Sequence, residues 1–287
     1  MRRCTILAAA IALGVCAITG KYGYAANGVP QPAHIVVVME ENHAYSQIIG
    51  STSAPYINSL AQQGALFTNS FAIEHPSQPN YLDIFSGGDQ GVTSDNCPQS
   101  FTTANLGEQL LAKGFTFKGY SENLPSVGSL ACTSGPYARK HVPWTNFNGS
   151  SNAVPRTDSD PFQGYYPGTV SPVNYNNLPS ISFVIPNLND DMHDGTIQAG
   201  DSWLKSKIDG YAQWAKTNNS LLIVTWDEDN DASGNHIATI FVGQHVKPGQ
   251  YAEKITHYSV LRTMEDAFSL PYADNAMTAK SITDVWQ

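Results

Sequence analysis

The chain has 287 residues, of which 41% are hydrophobic and 14% charged, and this length suits one α/β domain with a sizeable core. Its formal net charge is -9 at pH 7. A chain this acidic has no broad electrostatic attraction for nucleic acid, so the composition excludes a nucleic-acid partner. For the same reason, a phosphate-bearing ligand would need a local cation.

The N-terminus has the pattern of a secretory signal peptide. Arg2 and Arg3 are followed by an apolar stretch over residues 4–18 and by small residues at Ala25 and Ala26. We expect residues 1–26 to be removed and the remainder to be exported, to the periplasm or outside the cell. The apolar stretch is short for a membrane span, and no later segment suggests stable membrane insertion.

Residues 27–287 are predicted to form a single domain in which strands and helices alternate. The expected strands are 35–39, 65–71, 115–120, 180–185, 221–226 and 237–242, and the expected helices are 55–63, 105–113, 199–216 and 258–268. The alternation predicts an α/β fold with a mostly parallel central sheet and helices on both faces. Residues 121–179, rich in Ser, Asn, Pro, Gly and Tyr, are expected to form an irregular cap or insertion.

Two of the predicted strands end in acidic residues. The first apolar run stops at Glu40 and is followed by Glu41 and Asn42, and the run at 221–226 is followed by Asp227 and Glu228. Apolar runs without alternation are typical of strands buried on both faces, and ligands bind at the carboxyl ends of such strands. Carboxylate and amide oxygens favour Ca, Mg or Mn over a thiolate-bound zinc. The pattern therefore predicts a divalent cation site.

A serine lies between two prolines, where the fixed backbone could hold its hydroxyl rigidly at the mouth of a site. This is Ser77, flanked by Pro76 and Pro79. A surface turn is the alternative, because a serine is a poor nucleophile without a base or a metal. The stretch with Asp190, Asp191 and His193 follows the strand at 180–185. It is interpreted either as a ligand or acid/base loop or as ordinary helix capping.

Single histidines and the cysteines give weaker signals. His236 and His257 are candidates for a site, although a lone histidine is more often structural. Cys97 and Cys132 remain after the presumed signal peptide. In an oxidising compartment the simplest interpretation is one disulfide between them, and nothing nearby would activate a cysteine nucleophile.

Four motifs in chain order resemble a known family. They are residues 39–43 (MEENH), 75–81 (HPSQPNY), 189–194 (NDDMHD) and 225–229 (TWDED). Together they are similar to the phosphoesterase family of bacterial acid phosphatases and non-specific phospholipases C, which belongs to the alkaline-phosphatase-like superfamily. The resemblance runs from about Ile35 to the last predicted helix.

The resemblance implies roles for particular residues. It places the metal ligands at Glu41, Asn42, Asp227 and Glu228, and the nucleophile, which also contacts the metal, at Ser77. It further implies that His193, with Asp190 or Asp191, contacts a second metal or phosphate. His236 and His257 are candidates for the same contacts from their positions in the sequence. Two-metal relatives bind a second cation near His193, whereas histidines of single-metal members contact phosphate or the leaving group.

The expected function is that of an exported, metal-dependent acid phosphatase that hydrolyses small phosphate monoesters through a phosphoserine on Ser77. His193 would protonate the leaving oxygen, since an imidazole exchanges protons near neutral pH. Asn80, Lys140 and His141 are candidates to balance the charge of the phosphoryl group.

Two alternatives remain open from the sequence. One is a phospholipase C-like phosphodiesterase, which the resemblance makes less favoured because the C-terminal extension of larger phospholipases C is not present. The other is a catalytically dead, secreted binding protein stabilised by metal. The sequence gives no indication of the oligomeric state.

Overall fold

The computed structural model describes residues 27–162 and 174–287. The expected signal peptide lies outside the described residues, and so do residues 163–173 of the expected insertion.

The main sheet contains nine strands within the described ranges, in the order β10-β2-β9-β8-β1-β7-β3-β6, with β11 pairing beside β2. The strands of the described residues, including a separate β4–β5 hairpin, are β1 (His34–Glu40), β2 (Ala65–Phe71), β3 (Phe117–Glu122), β4 (Thr133–Ser134), β5 (Tyr137–Ala138), β6 (Ser159–Phe162), β7 (Ile181–Ile185), β8 (Ser220–Trp226), β9 (His236–Gly243), β10 (Gly249–Tyr251) and β11 (Ile255–Thr256). In the main sheet, β9 runs antiparallel to its neighbours β2 and β8, and the other described pairings are parallel.

Seven α-helices accompany the sheet in the part of the chain that is described. They are α1 (Tyr45–Ile48), α2 (Pro55–Gln63), α3 (Ser77–Ser86), α4 (Leu106–Ala112), α5 (Ile197–Lys207), α6 (Asp209–Ala215) and α7 (His257–Ala267). Short 3₁₀ turns occur between them, and the turn Arg139–His141 follows β5 directly.

Helices cover both faces of the sheet, as β1 shows by its alternating side chains. Val36 and Val38 pack in one core layer with residues of α2, α5 and α6. Ile35 and Val37 pack in the opposite layer with residues of α3, α4 and α7. Burial of each such side chain stabilises the fold by roughly 1.5–3 kcal/mol. The predicted α/β fold with a mostly parallel sheet between two helical layers is therefore confirmed.

Several predicted elements agree with the structure to within a residue or two. The helix at 55–63 and the strand at 65–71 have the predicted bounds. Pro55 opens this helix and Gly64 ends it, which are the signals that the prediction used. The strand expected at 115–120 lies two residues further along, at Phe117–Glu122.

The prediction of a single long helix at 199–216 is wrong. Two shorter helices, α5 and α6, meet at Ile208, whose backbone amide ends α5 by donating to the carbonyl of Leu204. Gly210 follows this junction, and a Cβ there would lie 2.6 Å from the hydroxyl of Tyr175. The close approach of Tyr175 explains why glycine, a weak helix former, stands at that position.

The surface turn considered for Ser77 is also wrong. Ser77 begins α3, a ten-residue helix in which every residue is buried. Pro79 lies in the first turn, where a helix tolerates a missing amide hydrogen because that donor would have no helical partner. A helix buried all round has no polar face, so its sequence shows no amphipathic period.

Residues 121–179 contain more regular structure than expected. β6 joins the main sheet at its edge by pairing in parallel with β3, and Pro161 is tolerated there because an edge strand leaves one side unpaired. The β4–β5 hairpin also lies in this segment, and the predicted disulfide between Cys97 and Cys132 is present. Within 27–162 and 174–287, no helix has the length and apolar character needed to cross a bilayer.

One buried acid in α3 links folding stability to pH. Asp83 is fully buried against α7, and its Oδ1 accepts a hydrogen bond from the hydroxyl of Tyr258 at 2.9 Å. Burial is the main cause that raises the pKa of Asp83 to about 8. The hydrogen bond from Tyr258 opposes this rise, and the nearby carboxylates of Glu74, Asp89 and Asp274 contribute to it. The unfolded chain would ionise this group near pH ~4.

We therefore expect the free energy of unfolding to fall as pH rises. Because the folded state keeps the Asp83 proton up to about pH 8, this group's contribution is complete below pH ~4 and is lost as pH rises through 8. The slope is at most ~1.4 kcal/mol per pH unit for one group. Urea unfolding at pH 5, 6 and 7 should show a shallower slope for Asp83→Asn, whereas Glu108→Gln, at a partly exposed acid, keeps the wild-type slope. Equal slopes for all three proteins would contradict the assignment.

Candidate active site

The carboxyl ends of β1 and β8 bring the first acidic residues together. The two strands pair in parallel, with Glu40 opposite Trp226, so the residues that follow them leave the sheet at the same edge. The backbone amide of Asn42 donates to Oδ1 of Asp227 at 3.0 Å. Asn42 has a φ of 53°, a left-handed conformation that asparagine adopts more readily than most residues.

The hydroxyl of Ser77 points into this acidic group. Its Oγ donates to Oε2 of Glu41 at 3.0 Å and lies 3.4 Å from Oε1 of Glu228. Ser77 is 1% exposed and is the first residue of α3. An anion beside the first turn of a ten-residue helix is favoured by the helix dipole.

The acidic group has the properties of a cation site. Burial raises the pKa of Glu41 well above its usual range, and the charge of Asp227 adds to this effect. Burial likewise raises the pKa of Asp227 to about 7 and that of Glu228 to about 9. Oδ1 of Asn42 and Oδ2 of Asp227 are buried without any hydrogen-bond partner among the described residues. Buried, unpaired oxygens that repel one another fit a divalent cation.

A second set of potential ligands shares Glu41. Nε2 of His141 lies 3.2 Å from Oε1 of Glu41, and Nδ1 of His141 lies 3.5 Å from Oδ2 of Asp191. One ligand atom from each of these three buried residues lies within 4.8 Å of the others. Burial lowers the pKa of His141 well below its usual range, which leaves the imidazole neutral and able to bind a metal. This set could hold a second cation beside the first.

A basic patch formed by Lys140 and His193 is linked to the start of α3. Nζ of Lys140 donates to Oδ2 of Asp95 at 2.8 Å and lies 3.5 Å from Nε2 of His193. Oδ1 of Asp95 accepts from the backbone amide of Gln78, next to Ser77. The patch is therefore tied directly to the first turn of α3, and the disulfide joins its two loops covalently.

Two sequence candidates lie beside the site. The side-chain oxygen of Asn80 accepts from the backbone amides of Ile73 and Glu74, and its nitrogen donates to the carbonyl of Glu74. The same nitrogen lies 3.4 Å from Oε2 of Glu228, so Asn80 braces the chain before Ser77 and also contacts the acidic group. Asp190 accepts a hydrogen bond from the side chain of Asn187 at 2.9 Å and does not join the ligands around Glu41.

Two histidine candidates also have structural contacts. Nε2 of His236 lies 3.0 Å from the carbonyl oxygen of Thr68, and its ring stacks on Tyr45. His257 is buried, with Nε2 2.7 Å from the carbonyl oxygen of Asp227, and burial lowers its pKa to about 4. His257 thus fixes the end of β8 from behind and does not face the acidic oxygens.

The sequence analysis missed three residues at the site. The hydroxyl of Tyr81 donates to Oε1 of Glu41, and its ring stacks on His141 with centroids 4.8 Å apart. Nδ1 of His75 lies 2.9 Å from Oε2 of Glu228. Asp95 holds Lys140. Tyr81 lies one helical turn after Ser77, so a helix prediction for this segment would have placed both on one side.

The family comparison and the individual relatives all indicate phosphoric ester hydrolysis. The model of the phosphoesterase family matches residues 51–271. A phosphatidylinositol-3-phosphatase of Mycobacterium tuberculosis is 50% identical over 282 residues, which cover 98% of this chain and 92% of that protein. A phosphate-repressible acid phosphatase of Penicillium chrysogenum is 29% identical over 75% of this chain, and the match spans only 54% of that enzyme.

Solved structures share the fold at low sequence identity. A protein in the alkaline phosphatase superfamily from Vibrio parahaemolyticus superposes with a TM-score of 0.62 at 12% identity, covering 90% of this chain and 72% of that one. The lipoteichoic acid synthase LtaP of Listeria monocytogenes gives a TM-score of 0.63 at 9% identity, with 88% and 76% covered. The chain therefore shares its fold with these proteins, one of which is described as a member of the alkaline phosphatase superfamily.

Proposed function

Because this chain belongs to the phosphoesterase family and is a phosphoric ester hydrolase, we propose that it hydrolyses phosphate monoesters through a phosphoserine on Ser77. The observation that carries this proposal is the position of the Ser77 hydroxyl, 3.0 Å from Glu41, at the edge of a buried group of unpaired oxygens.

Ser77, Glu41 and His193 each have a defined chemical role in this mechanism. Oγ of Ser77 attacks phosphorus while its proton passes along the hydrogen bond to Oε2 of Glu41. The ester P–O bond breaks as the new Oγ–P bond forms, and His193 gives a proton to the leaving oxygen. Water then attacks the phosphoserine and gives one proton to His193 as the Oγ–P bond breaks. Glu41 returns its proton to Oγ, so that phosphate leaves and both groups regain their starting states.

The residues around the acidic group would hold one divalent cation, with oxygen ligands from Glu41, Asn42, Asp227 and Glu228. Such an ion supplies positive charge and Lewis acidity to the phosphoryl group. Lys140 would contact the remaining phosphoryl oxygens, since its ammonium lies beside His193 and is fixed by Asp95. His141 and Asp191 would either complete a second cation site or contact phosphate.

The names of the relatives favour monoesters over diesters. Those relatives are described as a phosphatidylinositol-3-phosphatase and as acid phosphatases, and each name denotes removal of a terminal phosphate. We further propose that the protein acts outside the cytoplasm, because the described part of the chain contains a disulfide and residues 1–26 have a signal-peptide pattern.

Side-by-side assays separate the two ester classes. We expect release of phosphate from 4-nitrophenyl phosphate to exceed hydrolysis of bis(4-nitrophenyl) phosphate and of a choline phospholipid by about 100-fold in kcat/KM, which corresponds to ~2.7 kcal/mol. The reason is that a monoester dianion matches a site with a cation and Lys140 better than a diester monoanion does. Faster turnover of either diester would favour the phospholipase C-like alternative instead.

A further inference from the structure

An open cleft of about 570 Å³ lies next to the candidate active site. His75, two residues before Ser77, lines its inner end, and Nδ1 of His75 lies 2.9 Å from Oε2 of Glu228. The loop that begins after Glu228 forms another wall, through Asp229, Asp231 and Asn235. The cleft therefore lies beside the residues that are proposed to bind the phosphoryl group.

One wall of the cleft offers hydrogen-bond acceptors. The side chain of Asp231 is 83% exposed, and its Oδ1 lies 3.1 Å from Nδ1 of His75. Oδ1 of Asp229 is buried and accepts no hydrogen bond from the described residues, while Nε2 of His75 lies 3.4 Å away. Oδ2 of Asp229 accepts from the backbone amides of Ser233 and Asn235, which fixes the loop. Carboxylates in a fixed loop suit the hydroxyl groups of a polyol.

The lining of the cleft includes one lysine. Lys254 is exposed and forms no ion pair with a carboxylate in the described ranges. Its Nζ lies 5.0 Å from the ring centre of Phe71, another lining residue. An ammonium that is not paired with a carboxylate would attract an anionic group of a ligand in this cleft.

The floor below Lys254 is a stack of rings. Phe71 stacks on His236 with centroids 5.1 Å apart, and His236 stacks on Tyr45 with centroids 4.7 Å apart. Nε2 of His236 is further held by the carbonyl of Thr68. Since each ring is held by its neighbour, the position of Lys254 over Phe71 is prearranged before any ligand arrives.

We propose that this cleft binds the leaving group of the substrate and that it selects a polyol carrying a second phosphate group. The hydroxyls face Asp231, Asn235 and His75, and the second phosphate contacts Lys254. This inference rests on the proposed phosphatase activity, because it places the reacting phosphate at Ser77. It adds a substrate class and assigns a role to Lys254.

The test compares a matched pair of polyol phosphates that differ by one phosphate. Myo-inositol 1,3-bisphosphate and myo-inositol 3-phosphate serve as probes, and short-chain dioctanoyl phosphatidylinositol 3-phosphate tests the same head group in a lipid. Lys254→Ala should raise KM for the bisphosphate and for the lipid by about 5-fold, the upper value for one exposed charge contact. KM for the monophosphate should change by less than about 2-fold. We expect kcat to stay unchanged for each of the three substrates. Lys254→Glu should raise KM for the bisphosphate further.

The control is Lys247→Ala, which removes an exposed lysine that does not line the cleft.

Three results would overturn the subsite. They are an equal rise of KM for all three substrates, no rise for any of them, or a rise for the lipid alone, which would mean that Lys254 contacts acyl chains or the lipid surface. Calorimetric binding of the bisphosphate to Ser77→Ala, with and without Lys254→Ala, needs no turnover. Lys254-dependent binding by a protein that hydrolyses no ester would support the cleft while contradicting the proposed phosphatase. Binding that is insensitive to Lys254 would contradict the cleft alone.

Discussion

Replacement of Ser77 by alanine is expected to reduce phosphate release by about 10³-fold or more without unfolding the protein. In the proposed mechanism, this hydroxyl is the one group of the protein that forms a bond to phosphorus. Alanine is smaller than serine and a better helix former, so α3 should persist. The oxygens of Glu41 and Glu228 lose a donor, but they remain free to bind a cation. Circular dichroism and the melting temperature report on the fold.

A trapped intermediate gives the direct measurement. Wild-type enzyme mixed with a ³²P-labelled monoester and quenched in acid should carry label on Ser77, identified by peptide mass. Ser86→Ala is the matched control, since this buried serine of the same helix donates only to the carbonyl oxygens of Leu82 and Gly88. The nucleophile assignment fails if Ser77→Ala retains most of the turnover. If, in addition, the metal affected only the melting temperature, the alternative of a dead binding protein would be favoured.

Removal of divalent cations is expected to abolish turnover and to lower the melting temperature. Without a cation, the carboxylates of Glu41, Asp227 and Glu228 remain close together in a buried site, where burial and repulsion already raise their pKa values. A cation present at 100 times its dissociation constant would stabilise the folded state by about 2.7 kcal/mol. Calorimetric melting before and after chelation measures this stabilisation, and addition of Ca, Mg or Mn should restore it.

Elemental analysis tests the same site without an assay of activity. Asp227→Asn keeps an oxygen for the hydrogen bond from Asn42 but removes one negative charge, so cation affinity should fall by at least about 10-fold. Asp194→Asn, at an exposed acid that contacts His193, should keep the wild-type metal content. Full metal content in Asp227→Asn would remove this residue from the ligand set. A melting temperature insensitive to chelation would argue against a structural cation there.

The sequence predicted best those elements whose signals are local. α2 and β2 have the predicted bounds because Pro55 and Gly64 mark the ends of the helix and an apolar run marks the strand. The positions of Glu41 and Asp227 followed from one rule, that parallel strands end at the same edge of a sheet. The structure places the two residues at that edge.

Other features depend on tertiary packing that a single sequence does not show. The prolines around Ser77 suggest a turn, yet the segment folds as a helix because burial on every side compensates for its weak local preference. The close approach of the Tyr175 hydroxyl to Gly210, just after the helix junction at Ile208, is likewise a contact between distant parts of the chain. His141 reaches Glu41 across a sequence separation of 100 residues, and no local pattern indicates which of several loops will do so.

The direction of β9 could have been inferred. Only nine residues separate Trp226 from His236, which is too short for the crossover that a parallel pair requires. An apolar run looks the same in either direction, so only the length of the connection carries this information. The antiparallel β8–β9 pair follows from that length.

The connection between β8 and β9 has two parts with different exposure. Residues 227–229 are buried against the acidic group, whereas residues 230–234 are exposed. Mutations at the exposed tip can accumulate without disturbing the oxygens that surround Ser77. Natural selection can therefore diversify the range of esters that descendants of this enzyme accept, by insertions or exchanges within five residues, while the chemistry at phosphorus is inherited unchanged.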